Sequence, residues 1–340
     1  MSHEGDRAPG TAAQMVASAR AFLATLDERR RAAVSFAFED EERFRWDYRP
    51  SGFFIRQDTF WHEGLRLVNM TPPQKAAAFA LLASGLSEQG LARVRAVMAL
   101  EAGLRETERF ERWIEHVVRD PELYAFAIFG EPGSDRWSWR VGGHHVGVHF
   151  TIVGGERISG LPMFLGANPA ELRHGDSRGL RTLPEEEDLA RALLGALSPE
   201  NRRRAIVSAT APNDILTDVR RAVRPDDVPS GLLFAQMSPD EQEKTMRLAR
   251  WYTERSAAEI AGIHWRRIEA DGLDAISFAW LGGVAVAEPH YYALRGPSFV
   301  VEYDKTQDGA NHVHSVLRSF AGDWGEDLLA AHYRKGHQVE

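Results

Sequence analysis

Five of the thirteen histidines fall in two short stretches of extended character, His144, His145 and His149 in one and His312 and His314 in the other. Imidazole nitrogens bind divalent metals and exchange protons near neutral pH, so such a cluster points to a metal site first and to acid–base chemistry second. Side chains on a strand alternate between faces. On that reading His145, Gly147 and His149 line one side with His144 on the other, and His312 and His314 share a side. Gly147 leaves a hollow between its two histidines that could admit an ion or a substrate. If the two strands are neighbours, His145, His149, His312 and His314 offer three or four nitrogens to one metal, with a coordination position left for water or substrate. A lone strand histidine is more often a hydrogen-bonded core residue. Two same-side pairs in a chain without cysteine argue for a polar site.

With cysteine absent, any metal must use His, Asp, Glu or Tyr, and zinc is the expected divalent ion ahead of iron, copper or manganese. Asp304, Glu302 and Tyr303 are candidates for a further ligand, a general base or a group that orients an imidazole from behind. His290, between Pro289 and two tyrosines, is a further catalytic candidate, with an aromatic-packed core histidine as the plainer reading. Arg140 and Arg295 could clamp a carboxylate or phosphate on the substrate, against stacking on Trp137 and Trp139 as the alternative for the first. Asn311 and His144 complete the substrate-binding candidates. Familiar signatures are missing. There is no Gly-x-Gly-x-x-Gly, no phosphate-binding Gly-x-x-x-x-Gly-Lys and no Gly-x-Ser-x-Gly elbow, and His62-Glu63 runs into Gly64-Leu65-Arg66 rather than completing a zincin motif.

The elements that must position these residues alternate between helical and extended signals without a repeating βα unit. This predicts an α+β fold, a mixed and mainly antiparallel sheet with helices packed around it, as one large domain over 11–340 behind a tail of residues 1–10. Within it, 11–118 reads as helical, 137–153 and 274–317 as sheet-forming, and 184–265 as a helical insert whose last helix is long. Thr71-Pro72-Pro73 opens a pair of helices over 73–85 and 87–107. Gly142-Gly143 reads as the tight turn between strands 137–141 and 144–153. The last helix is expected from Asp323, with Glu326 closing a capping box.

The net charge of −8 and the lack of a Lys/Arg run speak against a nucleic-acid partner. Neither a secretory leader nor an apolar run of membrane-spanning length is evident, so the expectation is a cytoplasmic protein with a small-molecule substrate and no membrane partner; a homodimer stays open.

The segments WSWRVGGHHVGVHFTIV, PMFLGANPAE, GLRTLPEEEDLARALL, FAWLGG, PHYYALRGPSFVVEYDKTQDGANHVHSVLRSF and DWGEDLLAAHY, in this order over roughly residues 120–335, resemble the family known as domain of unknown function 3500. The resemblance implies membership and no reaction. From the residues themselves the expected function is a metal-dependent enzyme, a hydrolase using an activated water on a small anionic organic substrate. The alternatives are a non-haem iron or copper oxidoreductase on the same histidines, a non-enzymatic small-ligand binder, and metal-free acid–base catalysis.

Overall fold

Helices begin where the sequence supplies a proline for the first turn, a position whose N–H would find no partner in the helix anyway. The computed structural model describes residues 6–51, 54–55, 58–59, 62–108, 119–173 and 177–336. In it Pro9–Ala24, Pro72–Gly85, Pro184–Ala196, Pro199–Ala205 and Pro239–Thr253 all start this way. The Gln74 side chain accepts from the Thr71 N–H at 2.9 Å, and Glu241 accepts from the Ser238 N–H at 2.7 Å, so each carboxamide or carboxylate closes a helix start from inside. The expected pair of N-terminal helices is found as Pro72–Gly85 and Glu88–Glu108. Of the expected tail over residues 1–10, residues 1–5 lie outside the described residues, as does the helical reading of 109–118, and the helix already begins at Pro9.

Residues 1–163, 255–263 and 321–340 form one compact unit, and 164–254 and 264–320 a second. Each combines helices with sheet, and the strand pairs are mainly antiparallel, which is the expected α+β class. Among the described residues no helix is long and apolar enough to cross a membrane.

In the first unit, Ser35–Phe36, Ala125–Phe129, Arg136–Gly143 and Val146–Val153 lie side by side in that order, the first pair parallel and the rest antiparallel. The hairpin register runs from Arg136 opposite Val153 to Gly143 opposite Val146, so the turn is His144–His145, two residues later than expected. The glycines answer a different need. A Cβ on Gly143 would lie 2.2 Å from the Tyr124 ring and one on Gly142 3.2 Å from the His62 ring, so both positions keep the strand surface open to an aromatic neighbour. His145, at φ 61°, therefore sits in the turn, and the alternation that paired it with His149 on one strand face does not apply.

In the second unit the strand order is Met163–Ala167, Val313–Ser319, Phe299–Lys305, His290–Arg295, Ser277–Gly282 and Ile206–Ser208. The pairs from Val313–Ser319 to Ser277–Gly282 are antiparallel, and Ile206–Ser208 joins in parallel. The expected helical insert is interrupted. Between Ala205 and Pro239 the chain holds two short strands, Ile206–Ser208 and Leu232–Leu233, and two single 3-10 turns, Pro225–Asp227 and Phe234–Gln236. Pro212, Pro225 and Pro229 remove the donors a continuous helix there would need. The expected long helix is also two, Pro239–Thr253 and Ala258–Ala270. At the C-terminal end Trp324 takes φ 62° within the 3-10 turn Asp323–Gly325, so the α-helix starts at Glu326 rather than at Asp323.

Candidate metal centre

Every residue of the strand Phe299–Lys305 is buried, including three charged ones, Glu302, Asp304 and Lys305. A buried charge is stable only with a partner. Lys305 has one in Glu187, at 2.7 Å. Glu302 accepts from the backbone N–H groups of Leu216 (2.6 Å) and Thr217 (3.2 Å), from the Thr217 hydroxyl and from the Tyr291 hydroxyl (2.9 Å). Among the described residues Asp304 accepts from Thr306 alone, whose hydroxyl lies 2.9 and 3.2 Å from its two oxygens and whose backbone N–H adds to it, and no cationic nitrogen stands within ion-pair distance. Burial above all, with the Asp214 and Glu302 carboxylates adding to it, pushes the Asp304 carboxyl up to about 8.

His314 lies directly opposite Asp304 in the antiparallel ladder, so the two side chains share a face. Asp214 reaches the same place from the irregular segment after Ile206–Ser208, and one donor atom each from Asp214, Asp304 and His314 lies within 4.8 Å of the others. The His314 Nδ1 donates to Asp214 at 2.6 Å, so in the neutral ring Nε2 is the acceptor nitrogen. His312 repeats the arrangement: its Nδ1 donates to Asp308 at 2.8 Å, and its ring stands 4.7 Å from that of His314. Each imidazole thus has a carboxylate behind it, the geometry that fixes the tautomer and raises the basicity of a metal-binding histidine. Burial holds His312 below the usual imidazole range in spite of Asp308. His314 is 5 % exposed and Asp214 36 %, so the group is deep at the strand and open on the Asp214 side.

The loops that complete the group are tied down individually. Glu302 holds Leu216 and Thr217, and the Gln307 amide donates to the Asn213 carbonyl at 3.1 Å, which together fix the segment carrying Asp214. Asp308, Gly309 and Ala310 all have φ between 53° and 64°. Two of these are not glycine, and such backbone persists only where the surroundings enforce it. The Asn168 amide bonds Asp308 at 3.1 Å, and Arg173 donates to the Gly309 carbonyl at 3.2 Å.

Of the residues singled out from the sequence, the second unit brings Asp304 and His314 together, with Glu302 on the same strand face and the His312 ring beside that of His314. Tyr303 and His290 belong to the opposite face of the same strands, by alternation from Asp304 and Tyr291. Arg295 donates to the Pro225 carbonyl at 2.6 Å, and Asn311 exchanges two bonds with the Glu171 backbone, so both fasten loops. Asp214 and Asp308 were missed; the signal available was only Asn-Asp and Gln-Asp-Gly, which read as turn residues.

The remaining candidates lie in the first unit. His144 pairs with Glu101 and stacks on His145 at 3.8 Å, and the His145 N–H donates to the Tyr48 carbonyl at 2.9 Å. His149 is buried beside Trp324, 4.6 Å between ring centres. Arg140 is buried and bonds the carbonyls of Glu42 (2.7 Å) and Glu63 (3.0 Å) and the Glu42 carboxylate (2.8 Å).

Near Arg140, His62 gives a measurable pH dependence. Its Nε2 donates to the Asp47 carbonyl at 2.8 Å and its Nδ1 accepts from Ser51 at 3.2 Å, so the neutral ring is the one that fits. Burial, with the Arg140 charge adding, lowers it from an ordinary 6.5 to about 4. As pH falls through 6.5 the unfolded ring takes up a proton that the folded ring refuses until about 4. Stability should therefore fall by about 3 kcal/mol across that window and level off below it. Urea unfolding of wild type and His62→Gln across this range should show a shallower acid slope in the variant; equal slopes would refute the assignment.

A family model described as "Protein of unknown function (DUF3500)" matches residues 8–326. No curated protein and no solved structure matches the chain.

Proposed function

We propose, for a chain that belongs to the DUF3500 family and takes no activity from that description, a divalent-metal-dependent enzyme, a hydrolase acting on a small anionic organic molecule. The observation that carries this reading is Asp304, a buried carboxylate with no cation beside it among the described residues, whose donor atoms gather with those of Asp214 and of His314, an imidazole with its Nδ1 already engaged by Asp214. Asp214, Asp304 and His314 would be the ligands, three protein groups with a position left open, which is the pattern of catalytic zinc. Zinc is the first choice, with manganese and iron also suited to a mixed imidazole and carboxylate donor set. Such an ion would activate a water as nucleophile and polarise the bond attacked. His312, backed by Asp308 and with its ring 4.7 Å from that of His314, would take the proton released, and Arg173, exposed at the Gly309 loop, would hold an anionic group of the substrate.

The close Asp214–His314 pair also supports a metal-free reading, in which the imidazole alone is the base. One series of measurements separates them. Protein stripped with chelator and titrated with zinc or manganese should bind one equivalent by calorimetry, and hydrolysis found in a screen of esters, amides and phosphoesters should vanish with chelation and return with metal. Activity indifferent to chelation favours the imidazole alone, and the lack of any saturable metal binding removes the metal reading.

A further inference from the structure

In the first unit the short helix Glu28–Val34 carries three consecutive arginines, and their side chains have different fates. Arg31 donates to the Leu23 carbonyl at 2.7 Å, at the end of the helix Pro9–Ala24. Arg30 is held on two sides: its Nε donates to the Asn69 carbonyl at 2.7 Å and its Nη1 to the Asp27 carboxylate, which also accepts from the Arg30 N–H at 2.8 Å. Arg29 is exposed, and among the described residues it has no hydrogen-bond or ion-pair partner.

Arg29 and Arg30 open onto a hollow of about 510 Å³, within the size range of small-molecule sites. Ala33, one helical turn on from both, continues their face, and Leu65, Val68 and Met70 also line the hollow. The segment carrying these three is fixed by the protein itself: the Leu67 N–H donates to the Tyr124 carbonyl at 3.1 Å and the Val68 N–H to the Glu122 carbonyl at 2.9 Å. Val68 nevertheless keeps 48 % of its surface exposed, an apolar side chain beside an arginine pair. Asp27 is the one carboxylate among the lining residues and Arg30 already engages it, so two guanidinium groups stand against a single negative charge in a chain whose net charge is −8.

We infer that this hollow is a binding site for a small organic anion, a carboxylate or phosphate ester on an apolar body. The oxyanion lies against the guanidinium of Arg29 and the Nη2 of Arg30, and the contacts to Asp27 and Asn69 hold the second of these in place beforehand, which lowers the cost of ordering it on binding. The apolar body covers Val68 and Ala33. Each half needs the other: at an open site a bare anion is screened by salt, and an uncharged apolar molecule leaves the surplus positive charge unanswered. The site shares no residue with the centre of Asp214, Asp304 and His314.

Calorimetric titration of chelator-stripped protein with hexanoate and with hexyl phosphate tests this, with acetate, inorganic phosphate and hexanol as controls. The expected result is saturable binding of one or both amphipathic anions, tighter than any control, and weakened about tenfold by Arg29→Gln, the loss of one charge-assisted contact. Val68→Ser should weaken it too. Both side chains are exposed and Arg29 holds no part of the chain in place, so the variants keep the fold. Which anion binds better tells a carboxylate site from a phosphate site. No saturable binding of either anion, binding that a control equals, or binding indifferent to Arg29→Gln overturns the inference; binding abolished by Asp304→Asn instead places the anion at the metal centre and overturns it as well.

Discussion

Asp304→Asn should lower zinc affinity by at least ~100-fold and yet leave the metal-free protein as stable as the wild type, or more so. The two effects run in opposite directions for one reason. The carboxylate is buried at 1 % exposure with Thr306 alone donating to it among the described residues, so without a metal its charge is a cost, whereas with a divalent ion beside it that charge is the attraction. An asparagine keeps the shape and an oxygen for the Thr306 hydroxyl, and gives up the charge. Calorimetric titration with zinc and urea unfolding in chelator measure the two halves. Unchanged zinc affinity would remove Asp304 from the ligand set; a strongly destabilised metal-free variant would show that the carboxylate has a structural partner of another kind.

Glu302→Leu is expected to be the most damaging single change in the second unit, costing about 3 kcal/mol or more. The Glu302 side chain accepts from Leu216 N–H, Thr217 N–H, the Thr217 hydroxyl and the Tyr291 hydroxyl, and Thr217 and Tyr291 are fully buried. Leucine fills the volume but leaves those donors without an acceptor, and the loss of one buried carboxylate, held above its ordinary range by burial, offsets only part of that. Asp214 lies two residues before Leu216, so the variant should also bind metal more weakly although it keeps all three proposed ligands. Chemical denaturation and zinc titration of Glu302→Leu and Glu302→Gln check this. The glutamine, which keeps one acceptor oxygen, should fall between leucine and wild type; equal stability of all three would show that the tether does not hold the segment.

The relation between these residues explains what could be read from the chain alone. Asp304 and His314 were legible because both stand on strands with strong β-forming neighbours, where alternation decides which residues share a face. Their partners were not. Asp214 contacts a residue 100 positions away from an irregular segment that the sequence reading had placed inside the helical insert 184–265. Turn residues such as Asn213-Asp214 and Asp308-Gly309 look the same in sequence whether or not their carboxylates have a second task. The His144–His145 turn was misplaced for a related reason: Gly142-Gly143 carries the signature of a turn, but the requirement it meets is room for Tyr124, and that contact is invisible without the fold. Helix starts fared better because caps and prolines act within four residues.

The first unit is assembled from three separated stretches, the last of which begins at Ala321, whereas every residue of the second has appeared in the chain by Phe320. On a translating ribosome the centre built from Asp214, Asp304 and His314 therefore has all its parts before Trp324, the neighbour of His149, has even been added. A premature stop shortly after Phe320 would injure the earlier-begun unit and spare the later one, an inversion of the usual expectation that vectorial synthesis protects the N-terminal half.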